Sequence, residues 1–142
     1  VTANIAFDDA LTITKNADID FGIVVAGVAD TYTIDTTGTV TAAGPGEIIG
    51  GTPVVGDLTI AGSTTQLIDI SVNNYVADNG VTPQNAICSY DGGAEADCNT
   101  LTGVAAPGAG KTLLVGVEAD VDGTQAGGDV AAPTFDVVAV YQ

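Results

Sequence analysis

The opening residues, Val1-Thr-Ala-Asn-Ile-Ala-Phe-Asp-Asp-Ala-Leu-Thr-Ile-Thr14, alternate in polarity and tie the chain to a strand-built fold from its first position. Val1, Ala3, Ile5, Phe7, Leu11 and Ile13 are apolar at odd positions, broken only by Asp9. Thr2, Asn4, Asp8, Thr12 and Thr14 are polar at even positions, while Ala6 and Ala10 suit either face. A period of two gathers the apolar side chains on one face of a strand, and that face must find a groove. The groove belongs either to the same domain or to a neighbour; in the second case the segment is a polymerisation device. The stretch starts without Met, so the expectation is that an upstream signal peptide has been removed.

The rest of the chain repeats the theme. Val, Ile and Thr are abundant, and their stiff side chains pack well on a pleated sheet. The 19 Gly, with Asn and Asp, supply turns between strands. Strands are expected at Asp30–Asp35, Thr39–Ala42, Asp57–Ala61, Gln66–Val72, Ala86–Tyr90, Thr112–Val121 and Ala131–Tyr141. Asp57–Ala61 and Gln66–Val72 read as partners across Gly62–Thr65, residues 43–56 as a loop with a short apolar insertion, and residues 73–83 as an Asn/Gly/Pro-rich connection. No segment keeps a 3.6-residue apolar period beyond two turns, and no linker divides the 142 residues. The pattern predicts an all-β, antiparallel sandwich in one domain.

Cys88 and Cys98 flank Asp91-Gly92-Gly93, a turn that would bring the thiols together. A structural disulfide implies an oxidising compartment; a pair of reduced buried thiols is the alternative.

Eighteen acidic residues against Lys15 and Lys111, with no Arg or His, give a formal net charge of -16. Such a chain cannot replace the counterions of nucleic acid or bind an anionic membrane surface. Catalysis is equally poorly served, because His, the usual base near neutral pH, is missing. Ser63, Ser71 and Ser89 lie in no nucleophile elbow. Asp8/Asp9 and Asp18/Asp20 are carboxylate pairs, but a sugar cleft needs aromatic platforms, and there is no Trp. The reading is that the chain is not an enzyme.

Two motifs mimic ligand loops. Ala105-Ala-Pro-Gly-Ala-Gly-Lys-Thr112 satisfies a loose phosphate-loop pattern, yet Thr112-Leu-Leu-Val-Gly-Val-Glu118 reads as a strand rather than the helix that such a loop opens. Glu118-Ala-Asp120-Val-Asp122-Gly123 resembles the start of a calcium loop, with Asp129 in the place of its long bidentate acid. Asp120, Asp122 and Asp129 are therefore weak calcium candidates in what reads as a Gly-rich hairpin. Asp91, Glu95 and Asp97 inside the cysteine loop are weaker still.

Asp18-Ile-Asp-Phe-Gly22 with Ile23-Val24, then Ala119–Gly128 and the closing Phe135-Asp-Val-Val-Ala-Val-Tyr-Gln142, resemble a family of secreted bacterial β-sandwich domains of unknown function. That family is similar in turn to the pilins of the archaic chaperone–usher route. The resemblance implies an immunoglobulin-like sandwich completed by an N-terminal donor strand, residues 1–11 forming the donor and 12–142 the domain.

Two functional expectations follow. In the first, the protein is a subunit of an extracellular filament, a head-to-tail homopolymer in which Val1, Ala3, Ile5, Phe7 and Leu11 fill pockets of the next copy. An assembly chaperone and an outer-membrane usher would be its transient partners, and no cofactor is required. In the second, the same strand folds into its own sheet, and the protein is a monomeric cell-surface or matrix module binding calcium or carbohydrate.

Overall fold

Alternating Val, Ile and Thr build strands that pair into one large antiparallel sheet and a smaller facing layer. The computed structural model describes residues 1–142 and holds no α-helix, only a 3-10 turn at Cys98–Thr100. In chain order the strands begin with β1 (Thr12–Ala17), β2 (Ile23–Val24), β3 (Asp30–Ile34), β4 (Val40–Ala42), β5 (Ile48–Gly50) and β6 (Gly56–Ala61). They continue with β7 (Ile68–Val76), β8 (Val81–Tyr90), β9 (Ala96–Asp97), β10 (Lys111–Val121) and β11 (Thr134–Tyr141).

The large sheet is organised by β10. Along one side runs β8, with Val121 opposite Val81 and Leu113 opposite Tyr90. Along the other side lie two strands in succession, β6 beside Lys111–Val115 and β3 beside Val117–Val121. Gly116 marks the changeover, where a Cβ would run into the Ile34 carbonyl oxygen. β1 extends the sheet beyond β6, β4 beyond β3, and β9 beyond β8. In the facing layer β7 pairs with β11, while β2 and β5 form a separate ribbon.

The core lies between the layers. Ile34, Ile60, Leu113, Val115 and Val117 of the large sheet are buried together with Ile68, Ile70 and Val72 of β7. Leu58, Phe135, Val137 and Tyr141 pack at its margin. All-β antiparallel architecture is thus as expected, and the two-layered core is sandwich-like.

Several boundaries differ from the sequence reading. Residues 1–11 carry no strand, and regular pairing begins at Thr12. β6 and β7 are not hairpin partners: β6 pairs with β1 and β10, and β7 with β11. The reason is Ser63, whose Oγ accepts the amides of Thr65 and Gln66 at 3.0 Å each. That turn carries the chain out of the large sheet and into the facing layer. Residues 73–83 are mostly strand, with Pro83 inside β8 opposite Ala119. Asn74 (φ 52°) and Asn85 (φ 49°) fall where the β7/β11 and β8/β10 registers slip, in the left-handed conformation that Asn tolerates. The last strand starts at Thr134 rather than Ala131, and β5 lies inside the expected loop 43–56.

The disulfide joins Cys88 to Cys98, both fully buried, with Cα atoms 4.9 Å apart. Asp91 (φ 52°) and Gly92 (φ 72°) make the tight turn between β8 and β9. Replacing both cysteines by Ala is expected to lower the free energy of unfolding by about 2–3 kcal/mol, the loop-entropy value for so short a closure. Urea titration of the two proteins measures it.

Tyr90 sits under the same turn, its hydroxyl donating to the Ala105 carbonyl at 3.0 Å. Burial, with Asp91 nearby, pushes its phenol up to about 12. The unfolded phenol releases its proton near 10 while the folded one still holds it, so stability falls as pH climbs between those values. Denaturation at pH 9 and pH 11.5 is expected to show that fall, and Tyr90→Phe to reduce it.

Candidate functional site

Two features of the molecule are apolar and incomplete. One is the terminal segment. Residues 1–10 run outside the sheets, with Ile5 79% and Phe7 87% exposed and Val1 fully so. Val1, Ala3, Ile5 and Phe7, expected to fill a groove, touch no core of their own, whereas Leu11 packs against the domain.

The segment has a defined root. Ser63 Oγ donates to the Asp8 carboxylate at 2.6 Å, and the Ser63 amide donates to the Tyr141 hydroxyl at 2.7 Å. That hydroxyl in turn donates to the Asp9 carbonyl at 2.5 Å. The Ser63 bond, with a backbone amide bond from Asp9, holds the Asp8 carboxyl below its usual range. The segment therefore leaves the domain at the Tyr141 end of β11. Sequence reasoning missed Tyr141, which it placed only as part of a closing strand.

The second feature is an open groove of about 1350 Å³ between the layers. Its floor is the inner face of β10, where Val115, Val117, Ala119 and Val121 alternate with outward residues, extended by Val81 and Pro83 of β8. One wall is the segment Ile19–Val25 together with Leu58. The other is residues 129–136, among them Phe135, whose ring lies 5.7 Å from that of Tyr75. Asp18, Asp20, Asp129 and Asp136 sit among the lining residues, as does Lys15, which is paired with Asp18 at 2.8 Å. β11 pairs with β7 along one edge only, so the edge facing away from β7 keeps its backbone groups unpaired.

The acidic candidates do not converge. Asp120 accepts the Thr31 hydroxyl, and Asp129 accepts the Ala126 amide. Asp122 accepts both the hydroxyl and the amide of Thr124, bonds that hold its carboxyl below the usual range. Glu95 is taken by Thr36, Asp97 caps the 3-10 turn, and Asp91 pairs with Lys111. No three acidic or cysteine side chains gather to hold an ion. The phosphate-loop mimic leads directly into β10, so no helix N-terminus faces it.

Residues 11–141 match the model of a family described as a domain of unknown function (DUF4402), and the chain belongs to that family. No curated protein and no solved structure matches the chain. The exposed segment ahead of Leu11 lies outside the matched region.

Tyr141→Phe removes the donor to Asp9 and leaves the buried Ser63 amide without its acceptor. A loss of about 1–2 kcal/mol is expected. Faster hydrogen exchange at Ser63, and faster cutting between Ala10 and Leu11 by thermolysin, would report it.

Proposed function

We propose that the protein is a structural subunit of an extracellular filament, polymerising when the N-terminal segment of one copy enters a neighbour. The observation that carries this reading is the exposure of Val1, Ile5 and Phe7 on a segment with strand periodicity, in a chain that also holds an open apolar groove. In this reading the domain is an immunoglobulin-like sandwich that lacks one strand, as in archaic chaperone–usher pilins, and the neighbour supplies it. The disulfide suits an oxidising, secreted setting. A chaperone would cover the incomplete fold before assembly and an usher would export it, and no cofactor takes part.

Insertion combines ladder hydrogen bonds with apolar burial. At ~25 cal/mol per Å² the side chains of Val1, Ala3, Ile5 and Phe7 contribute several kcal/mol per joint. The contact uses different surfaces on the two copies, so it propagates instead of closing. A charge of -16 on each subunit keeps finished fibres apart.

Negative-stain electron microscopy of native protein tests the reading, with thin regular fibres expected. Ile5→Asp combined with Phe7→Asp should abolish them while circular dichroism and the unfolding midpoint stay near wild type. Dispersed particles from the wild-type protein at all concentrations would overturn the proposal in favour of a monomeric binding module.

A further inference from the structure

We infer that the groove between the layers is a binding site for a primary alkylamine, its ammonium held at Tyr32 and Gln125 and its chain covered by the apolar mouth. The inference goes beyond the filament reading and concerns the single subunit, whether or not fibres form.

Two orphaned polar atoms give the first argument. Tyr32 is 1% exposed and lines the groove, yet its hydroxyl has no hydrogen-bond partner. Gln125 lines the same groove, and its buried Oε1 is likewise unpartnered. Turning the amide over does not help. Its Nε2 donates to the Asn79 carbonyl at 2.7 Å and to the Asp122 carboxylate at 3.0 Å, two acceptors that need a nitrogen there. Both residues belong to the Val121 end of β10. Tyr32 lies opposite Ala119 on β3, and Gln125 follows β10 in the loop that holds the Asn79-Gly80 turn ahead of β8. Gly46 passes over the Tyr32 hydroxyl, and a Cβ at that position would fall on it.

The chemistry of these atoms gives the second. An unpaired buried acceptor is costly, so an occupant that donates to it gains what a wholly apolar one forgoes. Gln125 Oε1 can only accept, and the Tyr32 oxygen accepts as well as donates. An ammonium brings three donors and no acceptor. Asp129 also lines the groove; one of its oxygens takes the Ala126 amide and the other is left for the head group.

Charge and apolar surface complete the match. Asp18, Asp20, Asp129 and Asp136 line the groove, and its one cation, Lys15, is already paired with Asp18. These carboxylates favour a cationic head, do nothing for an alcohol and repel a fatty acid. Ile23 and Ile49 of the β2/β5 ribbon line the groove at 57% and 60% exposure, as does Val130 of the opposite wall at 82%. An alkyl chain between them takes that surface out of water.

Isothermal titration calorimetry with octylamine, octanol and octanoate at neutral pH tests the site. Full-length protein carrying Ile5→Asp and Phe7→Asp is used, so that assembly does not compete for the groove. One octylamine per chain is expected, with octanol at least about tenfold weaker and octanoate showing no saturable binding. Tyr32→Phe removes only the hydroxyl and is expected to weaken octylamine by about fivefold or more. Ile49→Ser with Val130→Ser alters only exposed side chains and is expected to weaken it as well, so the result does not hang on the folding of the Tyr32 variant. Octanol or octanoate binding as tightly as octylamine would overturn the ammonium site. Many weakly bound octylamines per chain, insensitive to both variants, would mean ion pairing with the acidic surface and would overturn it too, as would no binding at all. None of these outcomes bears on fibres of the wild-type protein, which microscopy decides separately.

Discussion

Burial of the inner face of β10 is the interaction on which the remaining structure depends. Leu113, Val115 and Val117 lie in the core with Ile68, Ile70 and Val72 of β7, and the same strand carries ladder bonds to β8 on one side and to β6 and β3 on the other. Each neighbour is held twice, by its hydrogen bonds and by the apolar layer it helps to cover. Gly116 is what lets two strands share one side, since any larger residue would displace the Ile34 carbonyl.

The strands and their turns were legible where the alternation was long. β10 was expected to within a residue, and the Cys88–Cys98 bridge follows from a turn whose Asp91-Gly92 pair suits the left-handed conformation. Partnership was not legible. Asp57–Ala61 and Gln66–Val72 sit side by side in sequence, yet the Ser63 turn sends them to different layers, and local pattern carries no information about that choice. Asn73-Asn74 and Asn79-Gly80 read as loop because Asn and Gly favour turns. At Asn74 the same chemistry makes an irregularity inside a strand instead.

The terminal segment was legible as to what it needs but not as to where it goes. Its alternation asks for an apolar groove, and none of its own domain covers Val1, Ile5 or Phe7. The root at residues 8–9 could not be foreseen, because it joins Asp8 and Asp9 to Ser63 and Tyr141, far away in sequence. The groove likewise arises from strands that converge only in the folded chain. The acidic clusters taught the opposite lesson: proximity in sequence at Asp120, Asp122 and Asp129 did not become convergence in space, since Asp122 and Asp129 are engaged by donors of their own turn and Asp120 by the Thr31 hydroxyl of β3.

The disulfide has a mechanical meaning beyond its loop. The segment after Cys98 docks on the edge of β7 that β11 leaves free: Leu101 accepts the Ile70 amide at 2.8 Å, and Val104 and Ile68 exchange backbone bonds at 2.9 and 3.1 Å. Cys98 is bonded to Cys88 of β8, so on this side the two layers are fastened to each other through a covalent link. On the β11 side the fastening is non-covalent: the Ser63 amide, just past β6, donates to the Tyr141 hydroxyl at 2.7 Å, and Phe135, Val137 and Ala139 pack against the core. The sandwich is bolted along one side and latched along the other, and only the latch can open without breaking a covalent bond.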